Sequence, residues 1–331
     1  MKTLLLTGAT GFVGFNMLAR EAQQGTRILA PVRNAEKLWR RLECEGISHA
    51  DIVPLETDPS KWGDMRPTHA LLSAGVLFAR NREEYHSVNV DWTVRVLDAL
   101  PSDCRVVVLS SQAAGGPTPK GFQARRETDA DTPLTMYGQS KLELERAISR
   151  MHPGRAITIL RPPMVLGAGD SATLQLFKMA AGPIRPKSGL RKKEYSFIDV
   201  RDLLDAVHVA WQGNHVGPYY IASDRSITDL ELIHSAAISC NANGVTVPLP
   251  HLFIKCLSWI VDSHPKLRAS APSLTRDRAL DLWVDRWVVD SSSFRETTHW
   301  ESKHTLEHSL QSACDFYVRT GQLNIKSKKL S

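Results

Sequence analysis

Cysteine is scarce and scattered in this chain. The five residues, Cys44, Cys104, Cys240, Cys256 and Cys314, form no Cys-x-x-Cys pair. An odd count at irregular spacing predicts neither a disulfide framework nor a zinc site, and no metal ligand set is expected. Such usage fits a reducing cytoplasm, the expected location. Long apolar runs are missing as well. Only Leu4, Leu5 and Leu6 precede the first glycines, so no signal peptide is read at the N-terminus. The longest later run, Leu252 to Val261, is interrupted by Lys255 and is too short to span a bilayer. Stable membrane insertion is not expected. The run reads as a core helix or a lid over a pocket, with lipid contact as the alternative. Extended Lys/Arg runs are also lacking. A net charge of +6 supports a weak preference for anionic ligands and no nucleic-acid partner. There are no internal repeats and no low-complexity segments.

What is present is a chain of 331 residues, enough for one large α/β unit with a smaller appendage. Thr3–Thr7 reads as a buried first strand. Residues 12–24 read as a helix stopped by Gly25, followed by strands over 27–32, 52–55 and 69–73. Residues 87–100 are helical up to Pro101. Arg105–Leu109 is a β-branched strand, residues 137–151 a helix and 156–160 a strand. Strands alternating with helices predict βαβ crossovers and a parallel sheet. After Arg161 the pattern loosens through Pro162, Pro163, Gly182, Pro183, Pro186 and Gly189. Residues 195–200 and 218–222 read as strands there, and 201–211 as a helix. Leu306, Leu310, Ala313, Cys314 and Tyr317 fall on one helical face. The expected division is a Rossmann-type dinucleotide-binding domain over 1–165 and a substrate-binding region over 166–322, with segments near 195–212 returning to the sheet. Residues 323–331 form a basic tail.

The first strand runs straight into Thr7-Gly8-Ala9-Thr10-Gly11-Phe12-Val13-Gly14. Gly8 permits a tight turn, Gly11 lets the backbone approach a pyrophosphate, and Gly14 lets the helix pack close to the sheet. The free N–H groups of the helix start meet the phosphates. A carboxylate at the end of the second strand would hold a ribose 2′-hydroxyl. Val32 stands at that position and Arg33 follows. A guanidinium grips a 2′-phosphate that a carboxylate would repel. The reading is NADP, with NAD as the alternative.

Tyr137 and Lys141 are four residues apart on one helical face. The strand ending at Leu109 delivers Ser110 and Ser111 to the carboxyl edge of the sheet, where parallel sheets bind ligands. A hydroxyl, a phenol and an ammonium therefore converge on one cofactor.

With these pieces in order, the chain resembles the extended short-chain dehydrogenase/reductase family, also called the epimerase/dehydratase family. The matching stretches are the glycine turn, Ser110-Ser111, Tyr137-Gly138-x-Ser140-Lys141, Arg161-Pro162-x-x-Val165-x-Gly167 and Phe197-Ile198-x-Val200-x-Asp202, with Asn89 matching a helix asparagine. The resemblance implies Tyr137 as general acid/base, its pKa lowered by Lys141. It implies Lys141 as ribose ligand and Ser111 as the second donor to the substrate oxygen. It places Thr10, Phe12, Val13, Ser73, Ala74 and Gly75 against the cofactor, and Arg161 to Met164, Pro162 included, along the nicotinamide. Val76, Leu77, Gln112, Leu166, Phe177 and Tyr195 are the expected substrate pocket. Leu55 stands where relatives place an adenine-side aspartate, and Gln112-Ala113 where dehydratases carry Asp-Glu, which argues against dehydration.

Three activities are compatible with that family. A carbonyl/hydroxyl oxidoreductase resembling the 3β-hydroxysteroid dehydrogenase branch is favoured by the NADP reading and by Leu252, Phe253, Ile254, Leu257, Trp259, Trp283 and Trp287. A nucleotide-sugar epimerase could use the cluster Arg185, Lys187, Arg191, Lys192 and Lys193 for a diphosphate, although a solvated loop is the plainer reading of that cluster. A non-catalytic dinucleotide sensor is the third. The expected partner is a small molecule, and a homodimer is compatible.

Overall fold

Residues 2–271 and 274–325 are described by the computed structural model. Most of the predicted basic tail, residues 326–331, lies outside them. The first half contains β1 (Thr3–Thr7), α1 (Phe12–Gln23), β2 (Arg27–Pro31), α2 (Ala35–Cys44), β3 (Ile52–Leu55) and β4 (His69–Leu72). There follow α3 (Arg82–Tyr85), a π-helical turn over His86–Asp91, α4 (Trp92–Asp98), β5 (Arg105–Leu109), α5 (Gln112–Gly115), α6 (Met136–Met151) and β6 (Ile157–Arg161). Beyond it lie β7 (Met164–Leu166), α7 (Ser171–Ala180), β8 (Ile184–Ser188), β9 (Glu194–Tyr195), β10 (Phe197–Asp199), α8 (Val200–Gln212) and β11 (Gly217–Tyr220). The chain continues through β12 (Ile227–Thr228), α9 (Asp229–Ser239), β13 (Val245–Leu249), α10 (His251–Ser263), α11 (Pro265–Ser270) and α12 (Arg276–Trp283). It closes with β14 (Arg286–Trp287), α13 (Ser292–Thr298) and α14 (Leu306–Arg319).

Seven strands form a parallel sheet in the order β11-β6-β5-β4-β1-β2-β3. The order reverses between β1 and β4, so a crevice opens beyond their carboxyl ends, at Thr7 and Ser73. The near-continuous apolar runs of β1, β4 and β5 are buried because both faces are covered. Phe15 and Leu18 of α1 pack with Leu203 and Val207 of α8 on one face. Val94 and Leu97 of α4 pack with Leu144 and Ile148 of α6 on the other.

A third core joins α7, α9 and α14 and takes in all five residues of the predicted face, Leu306 to Tyr317. α8 and β11 return from this half into the first layers, so the sheet draws on chain from both sides of residue 166. The strand expected over 195–200 is split, because β9 pairs antiparallel with β12 whereas β10 pairs parallel with β7. The helix expected over 87–100 begins earlier and is interrupted by the wide turn.

Two surface expectations are corrected. Leu252 to Val261 lies within α10 and is not a core helix: Ile254, Ser258 and Val261 are buried, but Leu252, Phe253, Trp259 and Ile260 face solvent. The basic cluster is only in part a solvated loop: Arg191 and Lys192 are exposed. Arg185, Lys187 and Lys193 are buried. Arg185 donates to the carbonyls of Ala180 and Ala242, Lys187 pairs with Asp229 at 2.8 Å, and Lys193 donates to the Leu282 carbonyl. Burial lowers the Lys193 pKa.

Candidate active site

The glycine turn owes its shape to steric limits. Gly8 has φ +74°, a region that favours glycine. A Cβ on Gly14 would overlap the Gly8 carbonyl, so only glycine lets α1 approach β1 this closely. Gly11 caps α1 without any side-chain hydrogen bond to the helix start, which leaves its first N–H groups for an anion. This cradle fits a dinucleotide pyrophosphate. Across the crevice, Ser73 Oγ donates to the Thr7 carbonyl at 2.6 Å and the Ala74 N–H to Thr7 Oγ1 at 3.1 Å. The ends of β1 and β4 are thereby fixed to each other.

Thr10 is held by a residue that the sequence did not single out. Arg41 Nη1 donates to the Thr10 carbonyl at 3.0 Å, and its guanidinium lies 3.6 Å from the Phe15 ring centroid. Burial lowers the Arg41 pKa. Arg33 is exposed, one residue before the Asn34 cap of α2, and is not part of the cleft wall.

The second half of the site rests on α6. Thr135 caps this helix, its hydroxyl accepting from the Gly138 N–H at 3.2 Å. A Cβ on Gly138 would overlap the Ala113 carbonyl, so glycine brings α6 against α5 and Tyr137 against Ser111. Ser111 Oγ also accepts from the Ala113 N–H at 3.2 Å, whereas the neighbouring Ser110 hydroxyl donates to Glu145. Lys141 is buried and donates to the Leu109 carbonyl at 2.8 Å. Burial brings its pKa down to about 8, against the pull of Glu145. Asn89, in the wide turn, is fully buried. It accepts from the Val76 N–H at 2.8 Å and donates to Ser140 Oγ at 2.9 Å, tying the cleft wall to α6.

Burial raises the Tyr137 pKa, and the strongest opposing influences are the Arg278 guanidinium and the Ser111 hydrogen bond. The resemblance assigned that opposing role to Lys141, but its ammonium is directed at the Leu109 carbonyl. Arg278 lies 5.2 Å from the Tyr137 ring centroid and pairs with Asp281 at 3.0 Å. Its helix, α12, is anchored by Asp277, which accepts from the Met136 N–H at 3.0 Å. Arg278→Gln is expected to raise the phenol pKa further. The pH–rate profile for alcohol oxidation, which needs the phenolate, should then move to higher pH. An unmoved profile would show that Arg278 does not act on the tyrosine.

These groups share one cleft of about 580 Å³. Phe12, Val13, Ser73, Gly75, Pro162 and Met164 line it beside Ser111, Tyr137 and Lys141. From the expected substrate pocket it gathers Val76, Leu77, Gln112, Leu166 and Tyr195. Phe177 is a correction: it is fully buried against Tyr317, with ring centroids 5.9 Å apart, and the preceding Leu176 faces the cleft. One residue of helical rotation makes that difference. Arg161 is a second correction, for it is buried in an ion-pair network with Glu145 and Asp131 instead of lining the cleft. Of the apolar residues of the C-terminal half that favoured a lipophilic substrate, Trp287 reaches the cleft and the exposed face of α10 does not.

Arg278, Asp281, Leu282 and Leu232 also line the cleft. The first three fall at i, i+3 and i+4, a recognisable helical face, but nothing in the sequence says which wall that face meets. Burial pushes Asp281 up to about 6, with Arg278 pulling the other way.

A family model described as the NAD dependent epimerase/dehydratase family matches residues 4–222. The chain is 27% identical to a ceramide reductase of Caulobacter vibrioides over 324 residues, covering 96% of this chain and 95% of the relative. It is 30% identical over 223 residues to a dTDP-6-deoxy-L-talose 4-dehydrogenase (NAD(P)(+)) of Kitasatospora kifunensis, covering 61% and 68%. Among solved structures, a UDP-glucose 4-epimerase of Thermotoga maritima with UDP-glucose superposes with a TM-score of 0.74 at 18% identity, covering 96% and 99%. That likeness is one of fold.

Proposed function

The chain belongs to the NAD dependent epimerase/dehydratase family and is an enzyme of the extended short-chain dehydrogenase/reductase type; from that premise we propose that it interconverts a carbonyl and a hydroxyl by hydride transfer, with NADP(H) and a partly apolar substrate. The observation that carries this reading is the composition of the cleft around Tyr137. Val76, Leu77, Leu176, Leu232, Leu282 and Trp287 supply apolar wall. Of the cations that could have held a nucleotide diphosphate, Arg185, Lys187 and Lys193 are buried and engaged within the protein, and the exposed Arg191 and Lys192 do not line the cleft.

A bound nicotinamide would supply or accept the hydride. Tyr137 donates a proton to the carbonyl oxygen in reduction and removes it in oxidation. Ser111 donates a hydrogen bond to the same oxygen and orients it. Lys141 stands behind the phenol at the ribose side. Gln112 and Asp281 are the polar residues of the cleft lining beside Ser111 and Tyr137 that carry acceptor oxygens. A hydroxyl or amide N–H beside the reacting carbon would find its acceptor there. The substrate this describes is an amphiphile, with a short polar head and an apolar body.

Arg33 is the proposed 2′-phosphate contact. Loss of a charge-assisted hydrogen bond costs about 1.5–3 kcal/mol, so Arg33→Ala is expected to weaken NADP binding about tenfold or more and leave NAD binding nearly unchanged. Calorimetric titration with both dinucleotides checks this, and equal wild-type affinities would sink the NADP preference. The reaction itself is tested by a substrate panel. Steady NADPH consumption with a long-chain ketone that bears a vicinal amide or hydroxyl is the expected result. Conversion of a nucleotide sugar without net change in the cofactor would overturn the reading in favour of epimerisation.

A further inference from the structure

Helix α10 buries a narrow face and exposes a broad apolar one. Ile254, Ser258 and Val261, at i, i+4 and i+7, are its buried residues. At 3.6 residues per turn the opposite side collects Leu252, Phe253, Cys256, Trp259 and Ile260. Leu252 is 71% exposed, Phe253 56%, Trp259 53% and Ile260 51%, and in α11 Leu267 adds 43%. The Arg276 guanidinium lies 4.1 Å from the Trp259 ring centroid and the rest of the strip is open. Single exposed apolar residues are ordinary on a protein surface, but several along one helical face mark an interaction site.

The charge beside this strip is mostly positive. Between His251 and Ala271 the cations are Lys255, Lys266 and Arg268, and Asp262 is the one carboxylate. Asp262 is already engaged, accepting from the Arg276 N–H at 3.1 Å. Lys255 and Lys266 are exposed. The helices that carry the strip also neighbour elements that line the cleft. Arg268 Nη2 donates to the Arg80 carbonyl at 2.7 Å, joining α11 to the loop that carries the exposed Leu77 and Phe78, and Leu77 lines the cleft. On its other side α10 packs on α12, whose Leu282 also lines the cleft.

We propose that α10 and α11 dock this enzyme onto an anionic lipid surface. The apolar strip enters the acyl boundary, and Lys255, Lys266 and Arg268 meet the phosphates. No described helix is long and apolar enough to cross a membrane, so the attachment is peripheral, as for an amphipathic helix lying in the interface. The cleft mouth is then held beside the bilayer, where an amphiphilic substrate resides. Docking can be measured without turnover, so its failure and the failure of the proposed reaction are distinguishable.

The test is sedimentation of the full chain with vesicles of phosphatidylcholine alone and of an equal mixture with phosphatidylglycerol. Binding to the mixed vesicles, weak binding to phosphatidylcholine and weakening by salt are expected. Each cation near such a surface contributes about fivefold, so Lys255→Ala with Lys266→Ala should weaken binding about twenty-fivefold. Leu252→Glu with Ile260→Glu should abolish it. Both pairs lie at exposed positions, and unchanged thermal unfolding controls for folding. Equal binding to the two vesicle types, or none to either, would overturn the proposal. So would sedimentation equilibrium showing a dimer that Leu252→Glu with Ile260→Glu dissociates, since the strip would then belong to a second copy of the chain.

Discussion

Tyr137→Phe is expected to lower turnover by about 10²–10⁴-fold, the usual contribution of a positioned general acid/base. The substitution removes one oxygen and keeps the ring. The contact with Tyr85, centroids 6.3 Å apart, and the Arg278 guanidinium over the ring both remain possible. Dinucleotide affinity should therefore hold, because the pyrophosphate cradle is built by Gly8, Gly11 and Gly14 on a different element. Single-turnover kinetics with an identified substrate separate the two quantities. Lys141→Ala provides the contrast. It removes a buried ammonium beside Gly75 and should impair both binding and turnover. Full turnover in Tyr137→Phe would mean that another group moves the proton, and the raised pKa of the buried phenol would then have no catalytic meaning.

The second large effect is on stability. Arg161 and Glu145 are buried, with side-chain exposures of 3% and 6%. Arg161 donates from Nε to Glu145 Oε1 at 3.0 Å, and from Nη1 to Asp131 at 2.9 Å and to the Tyr220 hydroxyl at 3.1 Å. Burial works against this guanidinium, yet the Glu145 carboxylate keeps its pKa raised overall. Arg161→Met leaves Glu145 as an unmatched buried charge, which costs about 3–5 kcal/mol. The network links β6, α6 and β11, so the loss should appear as a shifted midpoint for the whole unfolding transition in urea. Adding Glu145→Leu removes the orphaned charge and should restore most of the stability. A single-variant loss under about 1 kcal/mol, the size expected of a surface pair, would show that the network does not hold these elements together.

The same arginine illustrates why a motif can be read correctly and its residue misplaced. Arg161-Pro162 marks the end of a core strand, and Pro162 does line the cleft. Alternation along the strand turns the arginine itself the other way, toward Glu145 on α6. The basic cluster at 185–193 teaches the same lesson. Its charges look solvated in sequence, but Asp229 lies 42 positions from Lys187 in the numbering, and only the packed fold brings them together.

What the sequence determined by itself was local. The glycine turn, the β-branched strands and the four-residue spacing of Tyr137 and Lys141 depend on backbone sterics and helical period, which act over a few residues. They were enough for the parallel sheet and its crevice, and for the group of side chains at Ser111. The tertiary structure decided what depends on distant chain: that Phe177 is core and Leu176 is cleft, that Arg41 holds Thr10, and that α12 brings Arg278 against Tyr137. It also decided that the apolar face of α10 looks outward. Periodicity reveals that a helix has two faces, but which of them is buried depends on the partner that packs against it.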